Sequence, residues 1–126
     1  MVEDNSVNLM LARAVLEKAG YEVDGAGSAR DAMERLATGA PDLILIDIQL
    51  PGVDGIALAR WLKSGPATAR IPLVALSAHA MQRQIDSALA AGCEAYITKP
   101  INTRTFARTV ATVLESRETA SGERGA

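Results

Sequence analysis

A chain of 126 residues, 48% hydrophobic and 22% charged, has the size and balance of one globular domain. Its net charge of -2 offers no basic footprint for nucleic acid, and one cysteine with one histidine excludes a disulfide framework and argues against a zinc site. No apolar run nears the roughly 20 residues that span a bilayer and no signal peptide is visible, so a cytoplasmic protein with neither nucleic-acid nor membrane partners is expected.

In chain order, Val7, Met10, Leu11, Ala14 and Val15 recur at helical spacing across 5–19, a helix stopped by Gly20. Residues 21–26 read as a short strand. Ser28 and Asp31 resemble a capping box, and Ala32, Met33 and Leu36 supply the buried face of the helix that follows, as far as Gly39. Residues 42–47 form a continuous apolar run closed by Asp47, the pattern of a strand covered on both faces. Asp54 caps a helix carrying Ile56, Leu58, Ala59, Trp61 and Leu62, which stops near Gly65. Residues 71–77 form a second apolar run, ending in the Ser77 hydroxyl. A helix over 80–91 turns Met81, Ile85, Ala88 and Leu89 inward and closes at Gly92. Residues 94–98 are another short strand, and Asn102 caps a last helix through Phe106, Val110, Val113 and Leu114. Gly20, Gly39, Gly65 and Gly92 each follow a helix, where a left-handed residue is wanted. The polar stretch 116–126 is expected to be a disordered tail after a single domain over 1–115. Strands alternating with helices predict an α/β fold, a doubly wound parallel sheet with helices on both faces.

In such a sheet ligands bind beyond the carboxyl ends of the strands. Glu3, Asp4, Asp47, Ser77 and Lys99 all fall at those ends, so the topology gathers them at one edge. Crowded carboxylates repel one another, and an all-oxygen site of this kind suits Mg2+. Lys99 adds a fixed positive charge. A cation and an ammonium facing one carboxylate suit the acceptance of a phosphoryl group, with Asp47 as nucleophile and Ser77 within reach of the new phosphate. Each residue also has a plainer reading. A strand-end Asp is usually a turn or cap residue, Glu3 and Asp4 could be helix-start acids, Ser77 an N-cap and Tyr96 ordinary packing.

Glu3-Asp4-Asn5, Asp47 followed by Leu50-Pro51 and Asp54-Gly55, Ser77-Ala78, and Tyr96 ahead of Lys99-Pro100 stand in the order and spacing of the two-component response regulator receiver domain. The chain resembles that CheY-like family from residue 1 to about 115, and most of all its stand-alone and hybrid-kinase receivers. The resemblance implies a flavodoxin-like sheet of order 2-1-3-4-5. It implies Asp47 as phosphoacceptor, with Asp4, Asp47 and the Gln49 carbonyl on Mg2+ and Glu3 acting largely through water. It implies that Lys99 contacts the phosphate, that the Lys99–Pro100 bond is cis, that Ser77 and Tyr96 are switch residues, and that Gln49 and His79 tune dephosphorylation. The implied partners are a sensor histidine kinase or histidine phosphotransfer protein, docking on the helix over 5–19, and a downstream protein target. A dimer through the 80–114 face or by strand exchange is a further possibility. Such a domain is a switch with slow self-phosphotransfer and self-dephosphorylation, not an enzyme acting on outside substrates.

Two other classes stay open. A phosphatase with an aspartate nucleophile would want an acid two residues after Asp47, where Gln49 cannot transfer protons. A phosphorylation-independent adaptor would lack a working metal site. One departure from the family bears on this, because only Met1 and Val2 precede Glu3 where receivers have an apolar strand of about five residues. Without that central strand its neighbours would lie about 9.6 Å apart, twice the roughly 4.8 Å strand spacing. An upstream start, a sheet that closes up, or a strand from another chain would each resolve this, the first being favoured. The expectation is a stub at Met1 and Val2 with a poorly anchored acid pair.

Overall fold

The computed structural model describes the chain apart from residues 4, 40, 49–54, 67, 79–80, 100–101 and 126, and apart from the side chains of 103 and 116–125. Its elements are α1 (Ser6–Lys18), α2 (Ala29–Leu36), β1 (Ile44–Asp47), α3 (Gly55–Ser64), β2 (Leu73–Ser77), α4 (Gln82–Ala90), β3 (Ala95–Thr98) and α5 (Thr103–Gly125). β1, β2 and β3 lie side by side in that order, all parallel, with Ile44 opposite Leu73 and Val74 opposite Ala95.

Side-chain alternation along the strands divides the core into two layers. Ile44, Ile46, Leu73 and Ala75 point to the face covered by α2, α3 and α4, where they meet Leu58, Leu62 and Ala88. Leu45, Val74 and Leu76 point the other way, against Ala12 and Leu16 of α1 and Phe106 and Val110 of α5. A strand buried on both faces has no polar side to show, which is why β1 and β2 read as unbroken apolar runs. β3 is only partly buried.

Local chemistry sets the helix starts. The Asn5 side chain accepts from the N–H groups of Val7 and Asn8, and Ser28 Oγ accepts from Asp31 N–H. Asp31 reaches back to Gly27 N–H, one residue earlier than a standard capping box. Asn102 Oδ1 accepts from the N–H groups of Arg104 and Thr105. The cap expected at Asp54 lies outside the described residues.

Several expectations need correction. Residues 21–26 are not a strand but an extended segment joined to the sheet by a bridge at Ala26. Met33, Met81 and Leu89, expected inside, are exposed, because small alanines at 29, 32 and 88 bring the helices close to the sheet and leave longer side chains at the rim. Of the helix-ending glycines only Gly20 and Gly92 have positive φ, at 100° and 110°. α5 extends to Gly125.

The amino-terminal stub is present and better held than expected. Val2 bridges both Ala26 and Ile46 in parallel sense. Val2 N–H donates to the Leu45 carbonyl, Asp47 N–H to the Val2 carbonyl, and Glu3 N–H to the Ala26 carbonyl. Residues 1–3 thus lie between the 21–26 segment and β1, the position of the central strand.

Candidate functional site

The strand ends place the site. Asp47 closes β1 and Ser77 closes β2, where Ser77 stands opposite Thr98 of β3. Lys99 follows β3 directly, and its N–H donates to the Ser77 carbonyl at 2.7 Å, so the ladder itself aims the lysine back across the sheet. Lys99 Nζ lies 2.8 Å from Asp47 Oδ2 and 2.9 Å from Glu3 Oε2. The remaining Glu3 oxygen, Oε1, accepts from Asn5 N–H.

Glu3, Asp47 and Ser77 are the buried polar and charged residues of the described chain, at 1%, 3% and 0% exposure. Among the described residues, two buried carboxylates flank one ammonium in a site largely shielded from water. Burial pushes the Glu3 carboxyl above its ordinary value, and the charge of Asp47 adds to this, while Lys99 and the Asn5 N–H pull the other way. Burial disfavours the Lys99 ammonium as well, yet its hydrogen bonds to Asp47 and Glu3 and their charges prevail and raise its pKa. The lysine is thus held charged.

These groups suit a hard cation. The described donors are the buried carboxylates of Glu3 and Asp47, the ligand type that Mg2+ prefers, and one oxygen of each is here turned onto Lys99 Nζ. Among the described residues no cluster of three acidic, histidine or cysteine side chains forms, because Asp4 lies outside them. Gln49 and His79 also lie outside the described residues, as do Leu50, Pro51, Asp54 and Pro100. Tyr96, opposite Ala75 in the register, is partly buried against the α2–α3–α4 layer. Among the residues expected to act together, the structure gathers Glu3, Asp47, Ser77 and Lys99 at one sheet edge and sets Tyr96 on the neighbouring strand. The poorly anchored acid pair is corrected for Glu3: backbone bonds, burial and the ion pair all fix it.

One residue received no role from the sequence. A Cβ on Gly55 would lie 2.4 Å from Ile48 Cα and 2.6 Å from the Asp47 carbonyl oxygen. Only glycine lets the start of α3 pass this close behind Asp47. The Asp54-Gly55 pair was the available signal, but nothing in it gives the distance to β1.

A family model described as the response regulator receiver domain matches residues 1–111. The polar-differentiation response regulator DivK of Brucella ovis is 40% identical over 114 residues, 90% of this chain and 93% of its own length. A CheY-like response regulator receiver domain protein from Methanospirillum hungatei superposes with a TM-score of 0.86 at 27% identity, covering 94% of each chain. The signal receiver domain of a histidine kinase from Syntrophus aciditrophicus superposes at 0.83 with 33% identity, over 91% of this chain and 87% of that one.

Proposed function

Because the chain belongs to the response regulator receiver domain family, we propose that it is a phosphorylation switch whose acceptor is Asp47. Receivers are switch-like regulators that interact with histidine kinases and downstream targets and generally bind Mg2+ in an acidic pocket. The observation that carries the reading here is the placement of the Lys99 ammonium within 2.9 Å of both Asp47 and Glu3 at the carboxyl edge of the sheet.

In the proposed reaction an Asp47 carboxylate oxygen attacks the phosphorus of a phosphohistidine. The O–P bond forms as the P–N bond breaks, and its electron pair stays on the imidazole nitrogen, which takes a proton from water. Lys99 neutralises charge on the transferred group and Ser77 offers a hydroxyl to one of its oxygens. Glu3, Asp4, Asp47 and the Gln49 carbonyl would hold Mg2+, which supplies charge neutralisation for the carboxylates and the phosphoryl oxygens. Ser77 and Tyr96 would pass the change on to α4, β3 and α5 by favouring one of two pre-existing states. Gln49 and His79 would set how fast water removes the phosphoryl group.

The partner surfaces follow from exposed apolar side chains. On α1, Val7 and Met10 are 71% and 70% exposed, which supports this helix as the seat of a histidine kinase or histidine phosphotransfer protein. Exposed Met81 and Leu89 support output, or pairing of two copies, through the 80–114 face. Among the described residues no helix is long and apolar enough to cross a membrane, and the proposed setting is the cytoplasm.

The test is labelling by a phosphohistidine donor or radiolabelled acetyl phosphate with Mg2+. Wild type should acquire an acyl phosphate that hydroxylamine releases, and Asp47→Asn should acquire none. Equal labelling of the two proteins would remove Asp47 from the role.

A further inference from the structure

The buried carboxylate of Glu3 has two ties that lead in opposite directions. Its Oε2 lies 2.9 Å from Lys99 Nζ, and its Oε1 accepts from Asn5 N–H at 3.2 Å. Asn5 is the N-cap of α1, where its Oδ1 accepts from the N–H groups of Val7 and Asn8 at 2.9 and 3.1 Å. The first N–H groups of a helix have no partner within it, so this cap governs how firmly the first turn is closed. That turn carries the exposed side chain of Val7 and leads to exposed Met10. A continuous chain of contacts thus runs from the Asp47 carboxylate through Lys99, Glu3 and Asn5 to the apolar start of α1.

One link in that chain has two arrangements. The Lys99 backbone is fixed to β2 by the bond from its N–H to the Ser77 carbonyl, but its ammonium stands at the end of a flexible four-carbon stem. The ammonium is shared between two carboxylates. A phosphoryl group on Asp47 brings a charge of about -2 and three acceptor oxygens to one side of it. Lys99 then favours that side and leaves Glu3 Oε2. Glu3, at 1% exposure, is left as a buried carboxylate without its cation, facing a larger negative charge. Turning the carboxylate outward relieves both costs and takes Oε1 off Asn5 N–H.

On the reading of Asp47 as phosphoacceptor and of α1 as the donor's seat, we infer that Glu3 is a positioning residue that couples the two. Phosphoryl transfer to Asp47 loosens the first turn of α1 and weakens the docking of the donor on that helix. By linkage, a donor docked on α1 favours the arrangement with Lys99 on Glu3, in which Asp47 is unmodified. Release of the donor after transfer follows from the same coupling.

Amide exchange tests this. Wild type is labelled with acetyl phosphate and Mg2+, and the metal is then removed with EDTA. Exchange at Val7 and Asn8 should quicken by about threefold or more over unlabelled protein, while Ala75 in β2, a reporter of global opening, stays unchanged. Unlabelled Lys99→Met should show the same quickening at Val7 and Asn8 relative to Ala75, with no phosphate present. In the Glu3→Gln background Lys99→Met should add nothing at these amides, the signature of a coupled pair. Asn5→Asp keeps the cap and should respond as wild type does, whereas Asn5→Ala should exchange fast in both states. A histidine phosphotransfer domain that labels Asp47, used unphosphorylated, should bind labelled wild type about threefold or more weakly than unlabelled protein. Unchanged exchange at Val7 and Asn8 in labelled wild type or in Lys99→Met, or the same quickening with Glu3→Gln, overturns the coupling. Equal affinity of the phosphotransfer domain for both forms overturns its effect on docking. Failure to label Asp47 at all would instead remove the phosphoacceptor reading, and Lys99→Met would still decide the link from Glu3 to α1.

Discussion

Lys99 is the residue on which the site turns. Its ammonium stands between two carboxylates that are almost wholly buried, so it offsets a repulsion that would otherwise act in a poorly screened interior. Replacing Lys99 by Met should lower folding stability by about 3 kcal/mol at neutral pH, because it leaves two buried like charges without their cation. Lys99→Arg keeps the charge and should recover most of that loss, and magnesium should stabilise Lys99→Met more than wild type. Urea unfolding with and without magnesium measures all three; unchanged stability of Lys99→Met would mean that the ion pairs are not formed in solution. The residue types were legible in the sequence, since acids, a hydroxyl and a lysine at strand ends suggest charge chemistry. The direct pairing of Glu3 with Lys99 was not, because the two are brought together only by the parallel ladder.

At the scale of elements, the strands that read most clearly are those buried on both faces. β1 and β2 are each covered by two layers of helices, and their apolar runs say so. The helices were harder to orient, because several carry apolar residues around most of their circumference. Which of them face inward depends on how closely each helix approaches the sheet, as Ala88 buried beside exposed Leu89 shows. The turn from β1 into α3 is fixed by Gly55. Gly55→Ala would drive a methyl group into the Ile48 and Asp47 backbone, which cannot yield as a flexible side chain can. The expected loss is about 2 kcal/mol of stability, together with slower phosphoryl transfer as the Asp47 backbone shifts. Chemical denaturation and initial labelling rates measure these effects, and a fully active, equally stable Gly55→Ala protein would show that the approach is looser than drawn.

For the whole molecule, Cys93 is a reporter of cooperative unfolding. It is buried in the α2–α3–α4 layer, and burial pushes its thiol up to about 11, against a smaller opposing pull from Lys63. A thiol whose pKa is raised on folding is favoured in its neutral form. Its contribution to stability is therefore complete below pH 9 and lost as the pH rises through about 11. Alkylation at pH 8 should be at least about a hundredfold slower in the native protein than in urea, since it requires opening of the layer. Rapid native labelling at pH 8 would place Cys93 at the surface instead. By itself the sequence determined the α/β class, the two fully buried strands β1 and β2 and the polar residues that close them, because periodicity, helix caps and charge are local properties. Only the tertiary structure decided that the stub at residues 1–3 is held from both sides and that Glu3 reaches Lys99. Those features depend on strand register and on the distance between elements remote in the chain, which local patterns do not encode.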